Sequence, residues 1–264
     1  MKVLSEQQID QFVRDGFVVL PEAFSPDVAA EIRDLVWEGI GLSPDRPGEW
    51  SKPLVHLQQA IGGPVVEQAF TPRLYGALDD VMGEGRWNPV KTLGWWPVAF
   101  PGFDTPPWTA PEKGWHVDGQ QFHHHINSPD QGLLPIFLLS DIAPGGGGTA
   151  LSLGSHRVTA HALRDSEPDG MDVHTLARTV AAAPRDRVIE VTGKAGDVAL
   201  IHPFVLHARS PNTGSKVRFI CNPCYTLKEP MRLDRPEFYD HSLVERATIE
   251  ALYGETPDTG VARS

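Results

Sequence analysis

The chain is poor in cysteine, with only Cys221 and Cys224 among 264 residues. Two cysteines build no disulfide framework, and a reducing cytoplasm is the expected setting. Long apolar runs are also missing. No stretch reaches the roughly 18 residues of a membrane-spanning helix. The opening Met1-Lys2-Val3-Leu4-Ser5-Glu6 carries no apolar h-region, so no secretory signal is expected. Basic residues are scarce: 23 Lys and Arg against 34 Asp and Glu leave a formal net charge of -11. Such a chain repels phosphate backbones and anionic headgroups, so neither nucleic acid nor a membrane surface is an expected partner. No phosphate-binding loop is present either. The run Gly145–Gly148 opens no helix and has no Lys-Ser/Thr after it, so it reads as a mobile turn before Thr149.

Glycine and proline, by contrast, are plentiful at 25 and 24 residues, which favours strands and loops over a helical bundle. The length fits one large domain over 1–264. Residues 1–85 read as mainly helical. Ser5 with Gln8 forms a capping-box pattern, Leu4 and Ile9 can staple the helix start, and Gly16 ends the helix. Phe17–Leu20 reads as a buried strand. Ser25-Pro26 then opens an amphipathic helix with Val28, Ile32, Leu35, Val36 and Ile40 on one face. Residues 41–62 look irregular, and one helix is expected over 64–82.

From about Val90 the pattern shifts to short apolar runs: Lys91–Ala99, Leu133–Leu139, Thr149–Leu153, Arg187–Val191, Asp197–Ile201 and Val217–Cys221. Their spacing suits an antiparallel sandwich or barrel over 90–225. The segment 155–186 interrupts it as a long stretch with room for a short helix, and loops of this length often cover a site. Residues 226–264 read as a C-terminal helix, over 240–253, and a tail.

The chemistry concentrates at His116-Val117-Asp118. In a strand, residues i and i+2 share a face, so this step aims an imidazole and a carboxylate at one point. A second imidazole from a distant strand would complete a 2-His-1-carboxylate set, which leaves open positions on Fe(II) for a chelating oxo-acid and dioxygen. His202 and His207 are the candidates. Arg218 favours His207, because the turn Ser210–Gly214 suggests a hairpin that sets the two side by side. Its guanidinium suits the far carboxylate of a dicarboxylic acid. His202, before Pro203, reads as a packed residue.

Together with Gly154-Ser155-His156, Gly196-Asp197 and Asn212, these residues resemble the phytanoyl-CoA dioxygenase family over roughly residues 4–225. The resemblance implies a mainly β double-stranded β-helix, a cupin-like jelly roll with flanking helices. It implies Fe(II), 2-oxoglutarate and O2 as cofactors, with His116, Asp118 and His207 as iron ligands and Arg218 as the cosubstrate anchor. The chain departs from the family at Arg209, where many relatives carry a small hydroxyl residue. Thr149 is a candidate hydroxyl contact. A carboxylate at 118 favours hydroxylation over halogenation.

The implied reaction is oxidation of an unactivated C–H of a small or mid-sized metabolite, such as a tailoring step in secondary metabolism, with succinate and CO2 as co-products. Two other readings remain: a non-oxidative jelly-roll enzyme using Zn or Mn as a Lewis acid, and a ligand-binding jelly roll without turnover. Gln121, Phe122 and Trp96 are candidate pocket residues, with core packing the alternative for both aromatics. His123-His124-His125 alternate faces and read as a surface or substrate-facing cluster. Cys221 and Cys224 read as reduced structural thiols. Oligomeric state is not legible.

Overall fold

The computed structural model describes residues 3–183, 185–234 and 241–254. Ser5 and Gln8 cap helix α1 (Glu6–Asp15) reciprocally, and Leu4 and Ile9 meet in one apolar cluster. Gly16 ends the helix with φ 81°, where a Cβ would also sit 2.5 Å from Val205. The chain then enters β1 (Phe17–Leu20). Ser25 caps α2 (Pro26–Ile40), which buries Val28, Ile32 and Val36. All of these follow the sequence pattern.

Two local expectations are corrected. The helix expected over 64–82 is two, α3 (Pro64–Glu67) and α4 (Pro72–Met82). Pro72 disfavours helical geometry at Thr71, and Thr71 instead turns its hydroxyl to the Leu74 amide as an N-cap. The segment 41–62 is not wholly irregular. It contains β2 (Leu54–Leu57), which pairs with β5 (Trp96–Ala99), and β3 (Ile61–Gly62), which pairs with β4 (Thr92–Leu93). Strands this short show no period of their own; a partner strand defines them.

The remaining strands form two antiparallel sheets. The larger adds β6 (Leu134–Leu138), β9 (Val198–Ile201) and β11 (Arg218–Cys221), in the order β1-β9-β6-β11-β5-β2. The smaller has β7 (Ala150–Ser152), β8 (Val188–Glu190) and β10 (His207–Ala208), in the order β10-β7-β8. Alternation sorts the larger sheet's side chains. Phe137, Val198, Leu200, Phe219 and Cys221 join Phe12, Ile32 and Leu78 in a cluster with the helices. Leu134, Ile136, Leu138, Ala199, Ile201 and Ile220 pack with Leu151 and Val191 of the facing sheet. Two antiparallel sheets face to face with helices outside make the expected jelly roll.

The segment 155–186 is not a long loop. It holds α5 (His156–Asp165) and α6 (Val173–Val180), which pack with α7 (Leu243–Tyr253). Ala160, Leu163, Leu176 and Val180 form a third cluster with Phe204, Leu206 and Leu252. The tail expected at 255–264 lies outside the described residues. No helix among the described residues is long and apolar enough to cross a membrane.

Candidate metal centre

The H-x-D step works here by the alternation its spacing suggests. Val117 is buried in the α5–α6–α7 cluster, so His116 and Asp118 turn the other way, into a cavity between the sheets. His116 is not in a regular strand but in a single antiparallel bridge with His207, the first residue of β10. One oxygen of Asp118 lies 3.4 Å from Nε2 of each histidine. A ligand atom from each of the three residues lies within 4.8 Å of the others, the one such group among the described residues. Octahedral ligands about 2.1 Å from an ion sit roughly 3 Å apart, so a small closure makes them share one metal. Two neutral imidazoles and a carboxylate are the donor set that suits Fe(II).

The electrostatics agree. Burial works against ionising Asp118, but the two imidazoles outweigh it and hold the carboxyl well below its ordinary range. Burial likewise opposes charge on His116, while bonds to Asp118 and the Gly114 carbonyl raise its affinity for a proton. Asn222 reaches the second Asp118 oxygen at 3.4 Å.

The chain leading into His207 is fixed from behind. Ser155 Oγ donates to the Ser152 carbonyl and accepts from the Leu206 amide at 2.8 Å, fixing the chain one residue before His207. His202 is fully buried, bonds the Thr248 hydroxyl at 3.1 Å and packs on Phe204. It is a packing residue, as expected.

Arg218 enters the same cavity from the opposite sheet. It shares the inward face of β11 with Ile220, while Phe219 and Cys221 point to the helices. The expected hairpin between His207 and Arg218 is therefore corrected. β10 pairs with β7 and β11 with β5 and β6, so the turn Ser210–Gly214 crosses between sheets, and the two residues meet across the cavity. Arg218 Nε donates to the Gly147 carbonyl at 2.8 Å and Nη1 to the Pro97 carbonyl at 2.7 Å. Burial first, then the charge of Arg209, pulls its pKa down to about 9. A buried guanidinium paired only with neutral carbonyls calls for an anion.

The glycine run is not the loose turn expected from composition. Glu190 accepts from the Gly145 amide at 2.6 Å and the Gly148 amide at 2.9 Å. Gly148 also runs so close to the Val191 carbonyl that a Cβ would lie 1.9 Å from its oxygen. The run thus presents the Gly147 carbonyl to Arg218 as a fixed acceptor.

The cavity holds about 380 Å³. Thr149 and Gln121 line it, as expected. Trp96 does not. It is fully buried and donates Nε1 to the Gln59 carbonyl. The cavity tryptophan is Trp95, 59% exposed, whose φ of 55° interrupts the alternation that suggested its neighbour. Phe122 is corrected too: it packs at a tilt against His124 and is not among the residues lining the cavity. The histidine run faces away from the substrate space. His124 is buried against Gln131 and the Gly119 carbonyl, while His123 and His125 reach Asp169 and Glu167. None of the described residues of 155–186 lines the cavity. Both cysteines are free.

His56, Leu54, Trp95 and Asn222 line the cavity and were not singled out as site residues by sequence, and Arg209, noted there only as a departure from the family, lines it too. Asn222 alone had a usable signal, since Arg218, Ile220 and Asn222 continue one face.

The family model for phytanoyl-CoA dioxygenase (PhyH) matches residues 68–220. Among solved structures, the fold is similar to that of EctD from S. alaskensis in its apoform, with TM-score 0.54 and 22% identity over 89% of this chain and 83% of that one. EctD with 2-oxoglutarate and 5-hydroxyectoine gives TM-score 0.52 and 20% identity over 89% and 82%. HygX from Streptomyces hygroscopicus, with nickel, 2-oxoglutarate and hygromycin B bound, gives 0.51 and 15% over 87% and 90%. At these identities the likeness is one of fold. No curated protein sequence matches the chain.

Proposed function

The chain belongs to the phytanoyl-CoA dioxygenase family of Fe(II)- and 2-oxoglutarate-dependent oxygenases, and we propose that His116, Asp118 and His207 hold its iron while Arg218 anchors the far carboxylate of 2-oxoglutarate. The reaction we infer is hydroxylation of an unactivated C–H of a small metabolite, with succinate and CO2 as co-products. One observation carries this reading. The three donor atoms converge within 4.8 Å in a cavity whose opposite wall supplies a buried guanidinium that, among the described residues, is hydrogen-bonded only to carbonyls.

The iron and cosubstrate, when bound, supply the activation of dioxygen that no side chain here provides. The chain's own residues hold and orient. His116 and His207 present Nε2 to the centre, and the Nδ1 atoms contact the carbonyls of Gly114 and Val205 at 2.8 and 3.2 Å, which fixes the ring tautomers. Asn222 steadies the Asp118 oxygen turned from the histidines. Arg218 is pinned by two carbonyls, so its remaining nitrogen is presented without rotamer freedom. Leu134, Ile136 and Ile220 form an apolar wall that keeps water scarce near the centre. Thr149 offers a hydroxyl on the smaller sheet's side.

The test is direct. Anaerobic protein receives Fe(II), 2-oxoglutarate and a metabolite panel, then air, and succinate and CO2 are measured. Oxygen-dependent succinate that Arg218→Ala abolishes supports the reading. Turnover that needs zinc or manganese, consumes no 2-oxoglutarate and survives Arg218→Ala would assign a non-oxidative metal enzyme.

A further inference from the structure

The cavity holds a second arginine that the proposed cofactors leave unused. Arg209 lies two residues after His207 and lines the same cavity as the metal ligands and Arg218. It is exposed to solvent, and its guanidinium makes no hydrogen bond or ion pair with any described residue. An exposed arginine is ordinarily a solvated surface charge. This one is not simply that, because it stands near enough to Arg218 and His56, both in the cavity, to press electrostatically on each. A cation placed to repel a buried cation is costly unless an anion comes between them.

The charges of the loaded site show what kind of anion. The two positive charges of a ferrous ion and the one of Arg218 balance the one negative charge of Asp118 and the two of 2-oxoglutarate. Arg209 then adds one positive charge that no carboxylate lining the cavity meets, since Glu190, the acidic group that acts on Arg218 from behind the wall, is held by the Gly145 and Gly148 amides. Among the described residues, Asp118 is the only acidic one in the cavity wall. A carboxylate closes the balance with its single charge and matches the planar guanidinium fork. A phosphate monoester, at about -1.5 to -2, overshoots. The space is also limited, since cosubstrate and substrate share about 380 Å³.

We propose that Arg209 is a specificity residue that binds a carboxylate of the substrate, so that this enzyme oxidises a small carboxylic acid. Trp95 and Leu54 offer the acid's carbon skeleton an apolar wall, and Gln121 a polar contact. The inference rests on the metal and cosubstrate assignment above.

The probes are short monocarboxylic acids and their primary amides. They are titrated calorimetrically into nickel-loaded protein saturated with 2-oxoglutarate, for wild type, Arg209→Gln and Arg209→Lys. Wild type binds at least one acid roughly tenfold to a hundredfold more tightly than its amide. Arg209→Gln loses that preference, Arg209→Lys keeps part of it, and in both the affinity for 2-oxoglutarate stays within about twofold. Equal binding of every acid and amide by wild type overturns the proposal. So does an Arg209→Gln protein that keeps the preference, or one that loses 2-oxoglutarate instead, which would make Arg209 a cosubstrate contact. Failure of the underlying reading looks different: the metal-loaded wild type would not bind 2-oxoglutarate at all, whatever stands at 209.

Discussion

His116 and His207 are joined through their backbones, each amide donating to the other's carbonyl at 3.0 Å, with imidazole centroids 4.4 Å apart. The two rings therefore stand together because of chain pairing, before any ion arrives. Metal loading should stabilise a site already shaped, with little change of fold. Nickel or anaerobic Fe(II) at about a hundredfold over its dissociation constant should add about 2.7 kcal/mol to unfolding. In Asp118→Ala and His207→Ala that gain should vanish while far-ultraviolet circular dichroism is unchanged. A thermal melt with and without metal, reversed by chelator, reads both.

Arg218 predicts a different defect. Arg218→Gln should raise the 2-oxoglutarate KM by roughly tenfold to a hundredfold, since a bond to a charged group is lost. Arg218→Lys should not rescue it, because an ammonium cannot satisfy the Gly147 and Pro97 carbonyls in the same fork geometry. Metal affinity should be nearly unchanged in both. Uncoupled 2-oxoglutarate consumption and nickel titration separate the two effects.

Glu190 acts at one remove. It holds the amides of Gly145 and Gly148 and so positions the Gly147 carbonyl beneath Arg218. Glu190→Ala should raise the 2-oxoglutarate KM several-fold although Glu190 does not line the cavity, and Glu190→Gln should recover less than half of the loss. A purely structural role would lower the melting temperature and leave KM alone, so both are measured.

Much of this was legible in sequence, and the boundary has a physical form. Caps were readable because Ser5, Gln8, Gly16 and Ser25 act locally. The convergence of His116, Asp118, His207 and Arg218 on one cavity was readable because alternation and order survive in one dimension. Partners were not. Nothing in Leu54–Leu57 announces a strand until β5 lies beside it. His207 and Arg218 looked like hairpin neighbours because sequence shows a turn but not that the chain changes sheets there. Trp95 and Trp96 were exchanged because one positive φ cancels the parity rule.

That exchange is itself testable. Trp96 is wholly buried with its indole N–H bonded to the Gln59 carbonyl, so Trp96→Ala should destabilise the protein by about 3–5 kcal/mol. Trp95 is 59% exposed on the cavity wall. Trp95→Ala should cost less than about 1 kcal/mol and yet raise the substrate KM. Denaturant unfolding and steady-state kinetics on the same pair of variants check this, and a reversed pattern would return Trp96 to the pocket.

Two of the other buried histidines weaken the fold in acid. His156 and His202 are fully buried, with ring centroids 5.2 Å apart. Burial holds both below the ordinary imidazole value, His202 down to about 3, and His202 adds to the effect on His156. In the unfolded chain both titrate near 6.5. Below that pH the unfolded chain takes up protons that the folded one refuses. The stability tied to these groups is therefore full above about 6.5 and falls as pH drops toward about 3. The slope is about 1.4 kcal/mol per pH unit for each imidazole. His202→Asn should be less stable than wild type near pH 7, having lost packing on Phe204 and the Thr248 bond. It should also lose less on going from about pH 7 to about pH 5, because one of the strongly proton-refusing groups is gone. Denaturant titrations at the two pH values give that difference directly, and parallel losses in both proteins would refute it.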